Sequence, residues 1–171
     1  MTESGVHLRT ARPADAEAIA DAERRTAQTP GLLVGWPGEI PVQAYREKID
    51  KLARHGRYLV AERDEEMIAH AFLDPMPMRA NAHVFQLTLV VHPGHVDRGI
   101  GSAMLGDLLA WAQRDPRARK VELNVRAGNE RARRLYQRMG FIAEARFQRR
   151  VLRTDGVFED DIGMAWFPVR E

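Results

Sequence analysis

Apolar and polar residues alternate from Val6 to Ala11 (VHLRTA), which predicts a short strand. Pro13 and Asp15 then open a stretch in which Ala16, Ile19, Ala20 and Glu23 follow as a first helix. TPGLLVGWPGEIP, residues 29–41, is rich in Pro and Gly, so it reads as a loop; its Leu32, Leu33, Val34 and Trp36 give it something apolar to cover. From Val42 to His55, Tyr45, Ile49 and Leu52 recur at helical spacing, and Gly56 supplies a C-terminal stop. RYLVAER and MIAHAFLD, joined by the charged turn DEE, have the form of a hairpin with one buried face. HVFQLTLVVH is the most strand-like run in the chain. Ile100, Met104, Leu105, Leu108, Leu109, Trp111 and Ala112 give the next segment a broad helical apolar face up to Arg114. ARKVELNVRA is then a strand and NERARRLYQRM a helix ended by Gly140, and the last two strands surround an Asp155-Gly156 turn.

Strand, two helices, three strands, helix, strand, helix and two strands make a mixed α/β chain with an antiparallel start and a strand–helix–strand unit in its middle. The 171 residues are about one domain's worth of chain, and no stretch reads as an interdomain linker, so a single domain over 1–171 is expected. With 44% hydrophobic and 29% charged residues, no repeat and no low-complexity tract, the composition is that of a soluble globular protein. Cysteine is absent, which excludes disulfides, thiolate metal sites and cysteine nucleophiles. The N-terminus has no cationic start followed by an apolar stretch, and no segment approaches a membrane span, so a cytoplasmic protein is the default. Net charge is only +2, yet Arg114 to Arg150 holds twelve basic residues against four acids, which suggests an anionic ligand for that half.

HPGHVDRGIGSAML, residues 92–105, places Gly99 and Gly101 between the most strand-like run and a helix. Glycine there permits positive φ and lets other atoms approach the backbone, while the first turn of a helix offers unpaired N–H groups and partial positive charge. Val96 to Ser102 therefore reads as a pyrophosphate cradle built from main chain, the alternative being a tight connection that merely needs small residues. The P-loop pattern is missing, and G-x-G-x-x-G fails at Met104. Downstream, NVRAGNERARRLYQRMGF sets Asn129 at a helix start, where capping is its ordinary role, with Tyr136 seven residues on.

VVHPGHVDRGIGSAML followed by NVRAGNERARRLYQRMGF resembles the two cofactor-binding motifs of the GNAT superfamily of acetyl-coenzyme A dependent N-acetyltransferases, and the element order is similar from Val6 to Phe167. The resemblance implies a central, mostly antiparallel mixed sheet of about seven strands flanked by about four helices, with acetyl-CoA as co-substrate and no metal. It implies that Leu89, Val90 and Val91 pair their main chain with the pantetheine arm. Val96, Asp97, Arg98, Gly99, Ile100, Gly101 and Ser102 would wrap the pyrophosphate, with Arg98 and its basic neighbours meeting the adenosine-side phosphates. Asn129 would hydrogen-bond the cofactor arm, Ala132, Leu135 and Arg138 would line or flank its exit, and Tyr136 would stand near the sulfur. The chain departs from the family pattern at Val96, where Gln or Arg is usual; a cradle of peptide N–H groups tolerates this, at some risk to affinity.

Acyl transfer to an amine needs a neutral amine, donors for the oxyanion and a proton for the departing thiolate. Tyr136 suits the last task, the alternative being an aromatic packed on the sheet; main chain near Val90 is the expected oxyanion donor by the same resemblance. No base is named. Where relatives carry a Glu, this chain reads His83 to Thr88 with no carboxylate; Phe85 and Gln86 cannot take a proton, and His83 and His92 sit at strand ends, where histidines are commonly surface residues. A water relayed through Gln86, Thr88 or Asn124 is an equal alternative. The amine acceptor, small molecule or peptide, is to be read from Trp36, Leu32 and Leu33, or from Glu159, Asp160 and Asp161, which could attract a cation or simply be acidic surface. Two competing readings are a non-catalytic coenzyme A sensor and a nucleic-acid binder using ARFQRRVLR; no known nucleic-acid motif accompanies the latter. Neither nucleic acid nor membrane is expected as a partner, and a homodimer is possible.

Overall fold

A computed structural model describes residues 5–170. Its elements are β1 (His7–Thr10), α1 (Ala16–Ala27), α2 (Val42–His55), β2 (Arg57–Arg63), β3 (Glu66–Pro75), β4 (Val84–Val91), α3 (Ile100–Arg114), β5 (Lys120–Arg126), α4 (Glu130–Arg138), β6 (Ile142–Leu152) and β7 (Phe158–Trp166). The element order matches the sequence reading. The strands form one seven-stranded sheet in the order β1-β2-β3-β4-β5-β7-β6.

Every neighbouring pair is antiparallel except β4 and β5, which α3 connects as a crossover. Asp64 and Glu65 both have positive φ (50° and 65°), the two left-handed residues that a two-residue β2–β3 turn demands. The apolar face of α3, with Met104, Leu105 and Leu108, packs with Leu59, Leu73, Phe85 and Val121 into the larger core. On the opposite face of the sheet, Ile19, Ile49 and Leu52 from α1 and α2 pack on Tyr58 and Val60.

Successive residues of β2 therefore serve different cores, and the strand is buried on both faces rather than one. This corrects the reading of a hairpin with a single buried face: α1 and α2, although distant in sequence from α3, cover the side expected to face water. Gly56 stops α2 as expected, for a steric reason. It follows α2 but has φ −155°, and a Cβ there would stand 2.1 Å from the Leu73 carbonyl oxygen, so the position needs glycine for close approach to β3 and not for a left-handed cap.

One feature of the sheet positions the site. β4 and β5 pair only at Val84–Lys120, Phe85–Val121 and Gln86–Glu122. Beyond that point β4 stays with β3 as far as Val91, and β5 stays with β7 as far as Arg126, so the two parallel strands separate. From Leu87 to Val91 the β5-facing edge of β4 has no ladder partner among the described residues.

Candidate active site

The chain leaves β4 at Val91 and re-enters regular structure at Gly99, the N-cap of α3, with φ 75° and ψ 0°. That left-handed conformation is free for glycine and strained for other residues. The first return hydrogen bond of the helix runs from Ala103 N–H to Gly99 O at 3.0 Å, so the amides of Ile100, Gly101 and Ser102 lie in the unpaired first turn. No acidic residue occupies that turn and no side chain caps it, which leaves its positive potential uncompensated.

These amides open on a cavity of about 620 Å³. Leu89, Val90 and Val91 line it from the unpaired stretch of β4, and Val96, Asp97, Gly99, Ile100, Gly101 and Ser102 from the loop and helix start. Asn129, Ala132, Leu135, Tyr136 and Arg138 contribute from α4 and its N-terminus, while Thr26, Leu32 and Leu33 line it from α1 and the following loop. A Cβ on Gly101 would stand 3.4 to 3.8 Å from Leu135, Val91 and Leu89, three residues of that wall, so the missing side chain is part of the open space. Arg98 alone among the residues singled out in this region does not line the cavity; it is exposed. Asn129 acts as a cap, its Oδ1 accepting the Ala132 N–H at 3.1 Å.

Tyr136 is buried on the cavity wall, packed against Phe141 with ring centroids 5.6 Å apart. Burial pushes its phenol up to about 12, so it remains a proton donor throughout the neutral range.

Much of the basic excess is neutralised locally. Arg117 pairs with Asp115, Lys120 with Glu144, Arg126 with Asp161 and Arg146 with Asp160. On the cavity rim Arg131 meets Asp97 at 3.3 Å and Arg134 meets Glu130 at 3.5 Å, whereas Arg138 has no ion pair among the described residues. Glu159, Asp160 and Asp161 are accordingly engaged with arginines and are not a free acidic patch. In ARFQRRVLR, Arg149 lies over Phe158 and Arg150 over Phe147, at 4.4 and 5.2 Å from the ring centroids. Trp36 is half exposed, its indole N–H directed to Leu152 O at 3.4 Å, which holds the loop against the β6–β7 hairpin.

His92 overturns the expectation of a surface residue: it is 6% exposed. The end of β4 tucks under α1, where His92 Nδ1 meets Thr26 Oγ1 at 2.7 Å. Its ring stacks on His70 with centroids 5.8 Å apart, and His70 Nε2 lies 2.7 Å from Glu23 Oε1. Tyr45 O–H donates to the other Glu23 oxygen, and Tyr58 O–H lies 3.0 Å from His70 Nδ1. Burial acts to raise the Glu23 carboxyl, but the hydrogen bonds from His70 and Tyr45 outweigh it and hold the group below the ordinary carboxylate range. Burial, followed by the proximity of His70, takes His92 down to about 4. Thr26 and Glu23 carried no signal in the sequence beyond helical spacing, because their partners come from strands about fifty or more residues away. His83, by contrast, is exposed.

Residues 19–141 match the Acetyltransferase (GNAT) family. Among solved structures, the acetyltransferase of the GNAT family from Streptococcus pneumoniae is 22% identical, covers 95% of this chain and 99% of its own, and superposes with a TM-score of 0.83. The ribosomal-protein-alanine N-acetyltransferase from Brucella melitensis is 20% identical over 94% of this chain and 99% of its own, with a TM-score of 0.83. The GNAT superfamily phosphinothricin acetyltransferase from Sinorhizobium meliloti, solved in complex with acetyl-CoA, is 18% identical over 98% of this chain and 89% of its own, with a TM-score of 0.86. These identities speak for the fold, while the family match spans most of the chain. Together with a cradle of free amides and a parted sheet, that match makes the chain a member of the acetyltransferase (GNAT) family.

Proposed function

We propose that the protein transfers the acetyl group of acetyl-CoA to a primary amine by direct attack, with residues 1–171 acting as one domain. The observation that carries this reading is a single cavity holding the unpaired amides of α3, the unpaired edge of β4 and the Tyr136 side chain. The amides of Ile100, Gly101 and Ser102 suit a diphosphate, and the Cβ-free wall at Gly101 leaves room for it. Leu89, Val90 and Val91 supply main-chain groups for an amide-bearing arm, and an N–H near Val90 supplies the donor for the oxyanion. Tyr136 gives its proton to the departing sulfur. Thr26, Leu32 and Leu33 bound the part of the cavity farthest in sequence from α4, where the amine enters. The acceptors in the names of those two relatives, a ribosomal-protein alanine and phosphinothricin, are both primary amines and make rational first probes.

Acetyl-CoA is expected to raise the melting temperature by linkage, a ligand at one hundred times its Kd adding about 2.7 kcal/mol. Free-thiol release is then measured with an alanine-terminated peptide, phosphinothricin and spermidine. Absence of any thermal shift at saturating acetyl-CoA would sink the reading.

A further inference from the structure

The acetyltransfer reading leaves one proton without a destination: the one that the amine nitrogen loses as it becomes an amide. No carboxylate lines the β4 side of the cavity, but a buried polar chain lies directly behind its wall. We propose that His92, held at Nδ1 by Thr26 and backed by His70 and Glu23, receives this proton at Nε2 through an intervening water; the proposal rests on the acetyltransferase reading above.

Hydrogen-bond arithmetic assigns the tautomer. Thr26 Oγ1 is 2.8 Å from Ala22 O, which can only accept, and 2.7 Å from His92 Nδ1. A hydroxyl has one proton to give. Both contacts are satisfied together when Thr26 donates to Ala22 O and His92 Nδ1–H donates to Thr26. The lone pair of His92 then sits on Nε2, and that atom is buried with no hydrogen-bond partner among the described residues. A buried basic nitrogen left unpaired is costly and calls for an explanation that packing does not provide. Val91, Pro93 and Thr26, its two chain neighbours and its hydrogen-bond partner, all line the cavity.

The surroundings suit a transient positive charge. The ionised Glu23, tied to His70 and Tyr45, favours an imidazolium on His92; Arg25 on α1 and His95 in the loop oppose it, as does His70 when charged, and Tyr58 stays neutral beneath His70. With its ring held near 4, His92 is unprotonated at neutral pH and ready to accept. A weak base suffices, because the nitrogen of the tetrahedral adduct is far more acidic than a free ammonium.

The step balances. The nitrogen lone pair forms the N–C bond at the thioester carbonyl, and the N–H proton passes through water to His92 Nε2. The C–S bond then breaks, and sulfur takes the Tyr136 proton. His92 gives up its proton to solvent as the Tyr136 phenolate regains one, so turnover yields amide and thiol with no net acid or base consumed.

The test compares wild type with His92→Gln and Thr26→Val. Acetyl-CoA affinity is expected to stay within about twofold, while kcat for the amine falls on the order of 10²-fold, the usual scale for losing a general base. The deficit should narrow as pH rises, since hydroxide substitutes for the missing acceptor, a trend that a merely structural defect would not show. Wild-type kcat and an unchanged pH profile in His92→Gln overturn the proposal. The ¹⁵N spectrum of the wild-type protein gives a second measurement, free of any folding defect in the variants and decisive even when no probe amine turns over. It should show His92 as the neutral Nδ1–H tautomer, and an Nε2–H tautomer overturns the relay. Failure of acetyl-CoA to bind sinks the acetyltransferase reading instead, so the two failures are distinguishable.

Discussion

Arg126 and Asp161 stand directly opposite each other in the β5–β7 ladder, with Nη1 2.6 Å from Oδ1 and both side chains almost wholly buried. Their pairing removes Asp161 from the set of groups able to attract a substrate cation and makes it part of the framework. Asp161→Ala leaves the guanidinium buried with only Glu159, 3.7 Å away, to meet it. A loss of about 3 kcal/mol in denaturant unfolding is expected, with the KM for amine unchanged in the protein that remains folded.

The Gly101 wall separates ligand space from protein packing. Gly101→Val puts branched carbons among Leu89, Val91 and Leu135, inside the cavity. Isothermal titration should show acetyl-CoA affinity reduced by more than about tenfold, equivalent to roughly 1.4 kcal/mol, while the melting temperature without ligand changes little. Equal affinity in the two proteins would mean that the donor lies elsewhere.

Tyr136→Phe removes only the hydroxyl. On the proposed mechanism kcat falls on the order of 10²-fold with little change in KM. Because burial holds the phenol near 12, the wild-type rate should show no alkaline decline from Tyr136 below about pH 10. Unchanged turnover in the variant excludes the proton-donor role.

His92 also ties stability to pH. Its pKa is lowered from 6.5 to about 4 on folding, so between those values the unfolded chain binds a proton that the folded chain refuses. Stability is therefore full above about pH 6.5 and declines as pH falls toward 4, by about 3 kcal/mol in all. Carboxylates held low by hydrogen bonds, such as Asp74 with Lys48 and Lys51, add their losses at still lower pH. Urea midpoints measured from pH 7.5 to 4 should show the first decline, and His92→Gln should flatten it.

Gly56→Ala tests a different use of glycine. The added methyl would sit 2.1 Å from a backbone oxygen, a contact that only movement of β3 or α2 relieves. We expect a destabilisation of about 2 kcal/mol or more, against only a few tenths for alanine at an open glycine with ordinary φ. Circular dichroism melts of Gly56→Ala beside Gly128→Ala, where a Cβ meets nothing within 4 Å, make the comparison.

Helical spacing at Tyr45, Ile49 and Leu52 is enough to place α2, and Gly99 and Gly101 mark the junction at which α3 begins, because those signals are local. The residues singled out on β4 and at α4 come from the family resemblance rather than from periodicity, and all of them line the cavity. His92 was not legible. Its burial depends on Thr26, sixty-six positions earlier, and on a chain reversal no alternation pattern encodes. The acidic run Glu159 to Asp161 left two readings open, a cation-attracting group or acidic surface, since its arginine partners sit on other strands or across a turn. Gly56 ends α2 as the sequence suggests, but the need for glycine there lies in Leu73, on a strand that only the folded sheet brings alongside.

The three residue pairs between β4 and β5 are the whole stitch between two antiparallel blocks, β1 to β4 and β5 with β7 and β6. Each block satisfies its own ladder. Opening of that short ladder would leave every rung within each block intact, like the covers of a book, while the core under α3 spans both blocks and the parted edge of β4 borders the cavity. The amides at this seam are those whose exchange a ligand seated in the fold of the book would slow most.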